Sequence, residues 1–357
     1  MLEVTRPQAL AFRRAGQHLH RRTDPLTAVA ACGLQDYPPG WAAVALHARS
    51  KGTPEPDEVV TVNAMRGAPY VVPKADARIF TAALVPEDEE GLVALVGKAQ
   101  LARIDGFGVR EALERVAAAA REGLTGGPLE KDAFHQAMRE RLPDGLLPWC
   151  RGCQSHHVGP GFWRALGPLE VTHMPAKSTW ALADRPSMAL EQARAELARR
   201  FLRCFGPATH THFASWAQIA TSHAKALFAG IEDELEPVKV EGRRAFVLAA
   251  DVGRLESPPK TTGVRLLGGH DPYVAQPDRA ALVSQAALRK RLFPSVGRPG
   301  VVLSEGGLAG LWRGRKRGDV LEVELDWVGE PVDVAAEAKA VARLRGCSSA
   351  LVSSSAP

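Results

Sequence analysis

The sequence predicts an α+β protein built from tandem winged-helix (helix-turn-helix) units with a small C-terminal β-barrel. Two observations predict this. Runs with apolar residues on one helical face recur up to about residue 230, and alternating segments that read as hairpins follow them. From about residue 263 the pattern turns to strands, with one helix interposed.

The elements follow in order. "PQALAFRRAG", "PLTAVAACGL" and "WAAVALHARS" read as three helices, the first opened by a capping box of Thr5 and Gln8. "VVTVNAMRGAPYVVP" then alternates about "RGAP" as a hairpin, completing a first unit over 1–86. "GVREALERVAAAAREGL" and "PLEKDAFHQAMRERL" give two more helices split by "TGGP", in a second unit over 87–194. The third unit, 195–251, is the clearest. "GPATHTHFASWAQIA" and "TSHAKALFAGIEDEL" form a helix-turn-helix, the second helix capped by Thr221 or Ser222. "EPVKVEGRRAFVLAAD" adds a wing that turns at Glu241 and Gly242. In such a unit the second helix enters the major groove, so Ser222, His223 and Lys225 are expected to face outward toward DNA.

"GVRLLGGHDPYV", "PGVVLSEGGLAGLWRG" and "DVLEVELDWVG" are the strands of the expected barrel, 252–330, with "RAALVSQAALRKRLF" as its one helix and Gly306–Gly307 as a turn. Residues 331–357 supply a last helix, "AAEAKAVARLRG", and a tail, "CSSALVSSSAP", that reads as frayed.

Composition narrows the class. No apolar run approaches the ~18 residues of a membrane helix, and the start lacks the apolar stretch of a secretory leader. Five unevenly spaced cysteines argue for a reducing, cytoplasmic setting rather than a disulfide framework. Forty-five basic against forty acidic residues leave a charge of +5, which permits nucleic-acid binding without demanding it. The cations concentrate in "EGRRAF", with Arg243 and Arg244, and in "WRGRKRG", with Arg313, Arg315, Lys316 and Arg317; both segments read as hairpin turns. Double-stranded DNA is the expected partner, bound by a monomer.

Two polar clusters stand apart. "AACGLQDYPPGW" places Gln35, Asp36 and Tyr37 at a helix exit and stops the helix with Pro38, Pro39 and Gly40. These residues serve equally to end a helix or to present a carboxamide and a carboxylate. "WCRGCQSHH" brings Cys150, Cys153, His156 and His157 close enough in sequence to share a tetrahedral Zn²⁺ as a structural ion. No cofactor is expected at the chemistry itself.

The segments "GLQDYP", "AMRGAPYVVPKAD", "RFLRCFGPATHTHFASW", "GRRAFVLAAD", "LLGGHDPYV", "GRPGVVLSEGGLAGLWR" and "LEVELDW" lie in an order and at spacings similar to the bacterial winged-helix DNA glycosylases of the AlkZ and YcaQ type and their actinobacterial relatives. The resemblance covers roughly residues 5–328. It implies tandem winged helices and a barrel around a concave DNA-binding surface, and hydrolysis of the N-glycosidic bond of alkylated or bulky bases.

The family's catalytic motif is Gln, any residue, then Gln or Asp. Gln35 matches the first position, Tyr37 departs at the last, and Asp36 brings its carboxylate one residue early, which in a helix rotates it by about 100°. On this resemblance Gln35 positions the water, while Asp36 supplies charge or takes a proton. Arg66 of "MRGAPY" matches the relatives and is expected either at a phosphate or holding the hairpin. Ala68 and Tyr70 stand where Thr and His are common. His270 of "GGHDPYV" is expected beside the DNA cleft. Two other functions fit the residues: a DNA-binding regulator or damage sensor that no longer cuts, and a zinc-stabilised module that docks protein.

Overall fold

A computed structural model describes residues 1–21, 23–184 and 188–354. The chain is mixed α+β and divides into two compact units. One comprises Met1–Pro54, Arg200–Thr209 and Asp233–Pro357; the other comprises Glu55–Arg199 and His210–Glu232.

The first unit is organised by an open five-stranded sheet. Its order is Arg265–Leu267, Gly300–Ser304, Gly307–Arg317, Val320–Trp327 and Ser349–Ser354. The strands do not close on themselves among the described residues, so the expected barrel is corrected to a sheet with two edges. Side chains alternate between two buried faces. Leu266, Val302 and Trp312 pack with Val44 and with Ala338 and Val341 of the Ala335–Leu344 helix. Leu267, Val301, Leu303 and Leu311 pack on the opposite face with Leu19, Tyr273 and Leu292. A period of two with both faces covered makes Gly300–Ser304 apolar up to Leu303 and Gly307–Arg317 apolar up to Trp312.

The serine-rich tail expected to fray is instead the edge strand Ser349–Ser354, parallel to Val320–Trp327 from Ser349↔Val320 to Ser354↔Leu325. Backbone bonds hold it, so its side chains need no apolar pattern, and sequence periodicity cannot reveal it. The single helix expected near 280–293 is two, Arg279–Leu282 and Ala286–Leu292. Val283 leaves the helical region and is buried beside Leu282, Leu288 and Leu292, while Arg289 donates to the freed carbonyls of Val283 and Ser284.

A second sheet of this unit pairs Leu2–Val4 in parallel with Leu235–Val240, which forms a hairpin with Arg243–Leu248. The turn falls at Glu241 and Gly242, both at positive φ, as the sequence predicts for a tight hairpin. The Arg6–Gly16 helix begins with the predicted capping box of Thr5 and Gln8.

In the second unit Val109–Gly123 buries Val109, Ala112, Leu113, Val116 and Ala120 along one face. It packs with Phe134 and Met138 of the Lys131–Arg139 helix and with Phe162 of the Pro160–Ala165 helix. Thr172–Ala176 and Thr179–Leu182 form a second hairpin, flanked by Leu129–Glu130. Val59–Asn63 and Pro69–Pro73 form the first. His210–Ala217 and Thr221–Ala229 are the two helices of the predicted helix-turn-helix, with Phe213 5.7 Å from Phe228 between ring centroids. The second helix starts after Ala220 with no side-chain cap, so neither Thr221 nor Ser222 has the predicted capping role.

Gly16 tests the packing of the first unit. A Cβ there would stand 1.9 Å from the Arg203 carbonyl oxygen. On a free helix Gly→Ala stabilises by about 0.5–1 kcal/mol. Gly16→Ala is expected to have the opposite sign, costing roughly 2 kcal/mol or more, read from the urea unfolding midpoint.

Candidate active site and nucleic-acid interface

The Gln35–Tyr37 loop belongs to the first unit and leads into the Trp41–His47 helix. The residue at the cap of that helix is Gly40, at φ 86°, which has no side chain to satisfy the orphan N–H groups. Asp36 does this from four residues back. Its Oδ1 accepts from Gly40 N–H at 2.7 Å and Ala42 N–H at 3.0 Å. Asp36 is half-buried, and among the described residues its Oδ2 has no hydrogen bond. Gln35 is buried, 6% exposed, whereas Tyr37 is 56% exposed. The loop is clasped on its far side by Arg345, whose Nη1 donates to Pro39 O at 2.8 Å and whose guanidinium lies over the Trp41 ring.

The second element of this site is the "GGHDPY" turn. The His270 ring stands 6.2 Å from the Tyr37 ring, edge to face. The turn approaches the loop closely because Gly268 has no Cβ: one would lie 2.4 Å from the Trp41 ring. Asp271 is buried and pairs with Arg49 at 2.7 and 2.8 Å through both oxygens. Arg49 also donates to Ala45 O and Gln17 Oε1, and Asp271 accepts the Tyr273 N–H. Burial opposes the Arg49 charge, but Asp271 outweighs it and holds the guanidinium above its ordinary pKa. Arg49, Asp271, Trp41 and Arg345 were not singled out from sequence. The only available signal was the adjacent glycine pair, which marks a close approach without naming the partner.

The cations divide less simply than their sequence clusters suggest. Arg243 and Arg244 are exposed beside the predicted hairpin turn, and Arg244 lies over Phe246. Arg313, Arg315, Lys316 and Arg317 occupy a long strand rather than a turn. All four are exposed, but Glu324 lies opposite Arg313 and Glu322 opposite Arg315 in the register. Arg317 pairs with Glu322 at 2.8 Å, and Lys316 donates to Gly346 O. This segment is therefore a mixed-charge face, with Arg315 in no ion pair among the described residues.

In the second unit, Ser222 and Lys225 are exposed on the Thr221–Ala229 helix as expected. His223 is not. It is 6% exposed, with Nε2 3.0 Å from Ala83 O, so its assignment to DNA is corrected to a packing role. On this helix, positions 223, 224, 227 and 228 form the buried stripe, which places His223 inward. Arg66 sits at φ 59° and donates to the Tyr70 hydroxyl, the bond that positions it on the first hairpin. With Gly67, Arg164 and Gln218 it lines a cavity of about 350 Å³.

The cysteine segment folds as the short pair Trp149–Cys150 and Ser155–His156. Cys150, Cys153 and His157 offer ligand atoms within 4.8 Å of one another. His156 is outside this group, its Nδ1 2.7 Å from Leu147 O, which corrects the predicted four-residue set. The Cys150 thiol is pulled down to about 6, chiefly by the Cys153 backbone N–H and then by the His157 imidazole. Cys153 is pushed up by the Cys150 thiol. Nearby, burial and the His157 ring press His135 down to about 4.

A polar loop fixed at a helix start, accompanied by exposed cations on strands and a helix face, suits a protein that acts on a polyanion. The family model for DNA glycosylase AlkZ-like proteins matches residues 28–346, and the chain belongs to that family. It is 31% identical over 206 residues to an interstrand DNA cross-link repair glycosylase of Streptomyces sahachiroi, a match covering 52% of this chain and 50% of that protein. The similarity thus spans about half the length of the curated relative. The fold is similar to the solved structure of Streptomyces sahachiroi DNA glycosylase AlkZ, with a TM-score of 0.74 and 22% identity over 99% of this chain and 100% of that one. Among the described residues no helix is long and apolar enough to cross a membrane.

Two expectations follow. Asp271→Ala strands the buried Arg49 charge and is expected to cost about 3–5 kcal/mol; the double variant Arg49→Met, Asp271→Leu should recover most of this in urea unfolding. His223 is lowered from 6.5, mainly by burial. Its folded pKa lies below its unfolded one, so the unfolded chain takes up the proton first. Stability is therefore expected to fall as pH drops below about 6.5, and His223→Gln should flatten that fall in unfolding midpoints measured from pH 7.5 to pH 5.

Proposed function

We propose that this chain is a monofunctional DNA glycosylase that acts in DNA repair, hydrolysing the N-glycosidic bond of alkylated, bulky or cross-linked bases in duplex DNA. It works as a monomer in the cytoplasm. The observation that carries this reading is the Gln35–Tyr37 loop, within the family match, where Asp36 uses one oxygen for structure and leaves the other open.

Cleavage breaks the C1′–N bond, the electron pair leaves with the base, and the sugar becomes a cation that water attacks. Asp36 Oδ2 stabilises that cation and takes the water's proton, while the Gln35 carboxamide orients the water. Tyr37 presents its exposed ring beside His270 to the damaged nucleotide. Arg66 is assigned to a phosphate, and the hydrolysis uses no cofactor. Zinc, in a structural role, is assigned to the Cys150–His157 segment.

The helices His210–Ala217 and Thr221–Ala229 are read as a helix-turn-helix of the second unit, and the hairpin Leu235–Val240 and Arg243–Leu248 as a basic wing-like hairpin of the first. Ser222, Lys225, Arg243 and Arg244 then meet the duplex, with Arg313, Arg315, Lys316 and Arg317 as further phosphate contacts. A second reading, a damage sensor that binds without cutting, is favoured by the near-complete burial of Gln35.

Base release from duplexes treated with mono- and bifunctional alkylating agents separates the two. Gln35→Ala is expected to lower the single-turnover rate by on the order of a hundredfold. Asp36→Asn keeps an oxygen for Gly40 and Ala42 but removes the charge, so it should lower the rate comparably with little change in unfolding midpoint. Tight duplex binding with no release by the wild-type chain would leave the sensor.

A further inference from the structure

The Cys150 segment is a short, exposed excursion of the second unit. Arg151, Gly152, Cys153 and Gln154 are all exposed, and Gln154 is held at φ 51°. Only two residue pairs form its ladder, Trp149↔His156 and Cys150↔Ser155. Its apolar content is poorly used: Trp149 is 48% exposed and lies on the His156 ring. A segment with so little burial needs another source of order.

Two imidazoles beside it have unspent bonding capacity. His157 Nδ1 is engaged with Val158 O at 2.8 Å, while its Nε2 is buried with no hydrogen-bond partner of good geometry. After the Cys153 backbone N–H, this imidazole lies close enough to the Cys150 thiol to pull it down. His135 comes from a different element, the Lys131–Arg139 helix, and its Nδ1 is likewise buried without a hydrogen bond. The two rings are 4.9 Å apart, and His135 is stacked on Trp163 at 4.3 Å. An orphaned buried nitrogen costs free energy unless something binds it. Here two occur on neighbouring rings, and one of those rings belongs to a group with two thiols within 4.8 Å.

We propose that Cys150, Cys153, His157 and His135 form a structural Zn²⁺ site of the Cys₂His₂ kind, tying the Trp149–His156 excursion to the Lys131–Arg139 helix. Each residue's role follows from position. Cys150 and Cys153, with two residues between them, chelate from one turn, and each loses its thiol proton to solvent as the Zn–S bond forms. His157 supplies Nε2, with the Val158 carbonyl fixing its other nitrogen, as metal-bound histidines require. His135 closes the tetrahedron. Ligand atoms around tetrahedral zinc stand roughly 3.3–3.8 Å apart, so Cys150, Cys153 and His157, within 4.8 Å of one another, contract onto an ion by side-chain rotation. His135, outside that group with its ring 4.9 Å from that of His157, turns in to join them. Two thiolates and two imidazoles select Zn²⁺ over harder cations and leave a neutral complex. His156 is left out because its ring lies against Trp149 and the Leu147 carbonyl and falls outside the Cys150, Cys153 and His157 group.

The site is independent of the glycosylase chemistry, so a failed excision assay would leave it standing. The test uses the full chain, stripped of metal and titrated with Co²⁺ and then Zn²⁺, with the visible d–d bands of tetrahedral cobalt as readout. One cobalt per chain is expected, displaced by one zinc, and Cys150→Ser should abolish the thiolate-to-cobalt charge-transfer band. His135→Ala is expected to weaken zinc by on the order of a hundredfold and to change the cobalt spectrum; His156→Ala should leave both unchanged. Far-UV circular dichroism of each variant confirms folding. If the wild-type chain takes up no cobalt, the site does not exist. If His135→Ala keeps wild-type affinity and spectrum, or His156→Ala loses the site instead, the assignment of the fourth ligand is overturned.

Discussion

The buried pair of Arg49 and Asp271 organises the first unit around its polar loop. Both side chains are fully enclosed, and they join residues more than two hundred positions apart in sequence. Such a pair is a weak source of net stability, because desolvating two charges offsets most of their attraction. Its stronger effect is on geometry. Two parallel hydrogen bonds fix the angle between the planar groups, and further bonds from Arg49 Nη1 and Nη2 reach Ala45 O and Gln17 Oε1 while Asp271 accepts the Tyr273 N–H. The end of the Trp41–His47 helix and the "GGHDPY" turn therefore take one arrangement.

That arrangement reaches the loop through the helix. Arg49 anchors the chain just beyond its C-terminal end, and Asp36 caps its N-terminal end. Trp41, in the first turn, is held between Gly268 and Arg345. Tyr37 and His270 face each other because both of their segments are fixed to the same short helix. A seven-residue helix has little stability of its own, so its ends must be held by tertiary contacts, and the polar loop is one of those contacts.

Much of the local structure is legible in the sequence, because it is dictated by residues within a few positions of one another. The Thr5–Gln8 capping box, the turn at Glu241–Gly242 and the apolar stripe of Val109–Gly123 are of this kind. What is hidden depends on partners far along the chain. Arg49 gives no local sign of its carboxylate, and the Ser349–Ser354 strand is held by backbone bonds to a neighbour. His223 lies one turn before Leu227 on the buried stripe, but its partner, the Ala83 carbonyl, is 140 positions away and no helical wheel shows it. The basic run at 313–317 misled for a related reason. Strand register, invisible in a one-dimensional charge count, sets Glu322 and Glu324 across from its arginines.

The "QDY" departure also takes on a physical meaning. A carboxylate displaced by one position would ordinarily point elsewhere, and here it points to the start of a helix whose cap residue is a glycine. Capping and catalysis make different demands on the two oxygens. A cap needs one acceptor aimed at N–H groups. A group that stabilises a sugar cation needs a second oxygen, ionised and free of a competing donor. Asp36 meets the first demand with Oδ1, and its Oδ2 has no hydrogen bond among the described residues. An asparagine keeps the cap while losing the charge, and an alanine loses both. The capping role of this residue and the catalytic role proposed for it are thus separable by substitution.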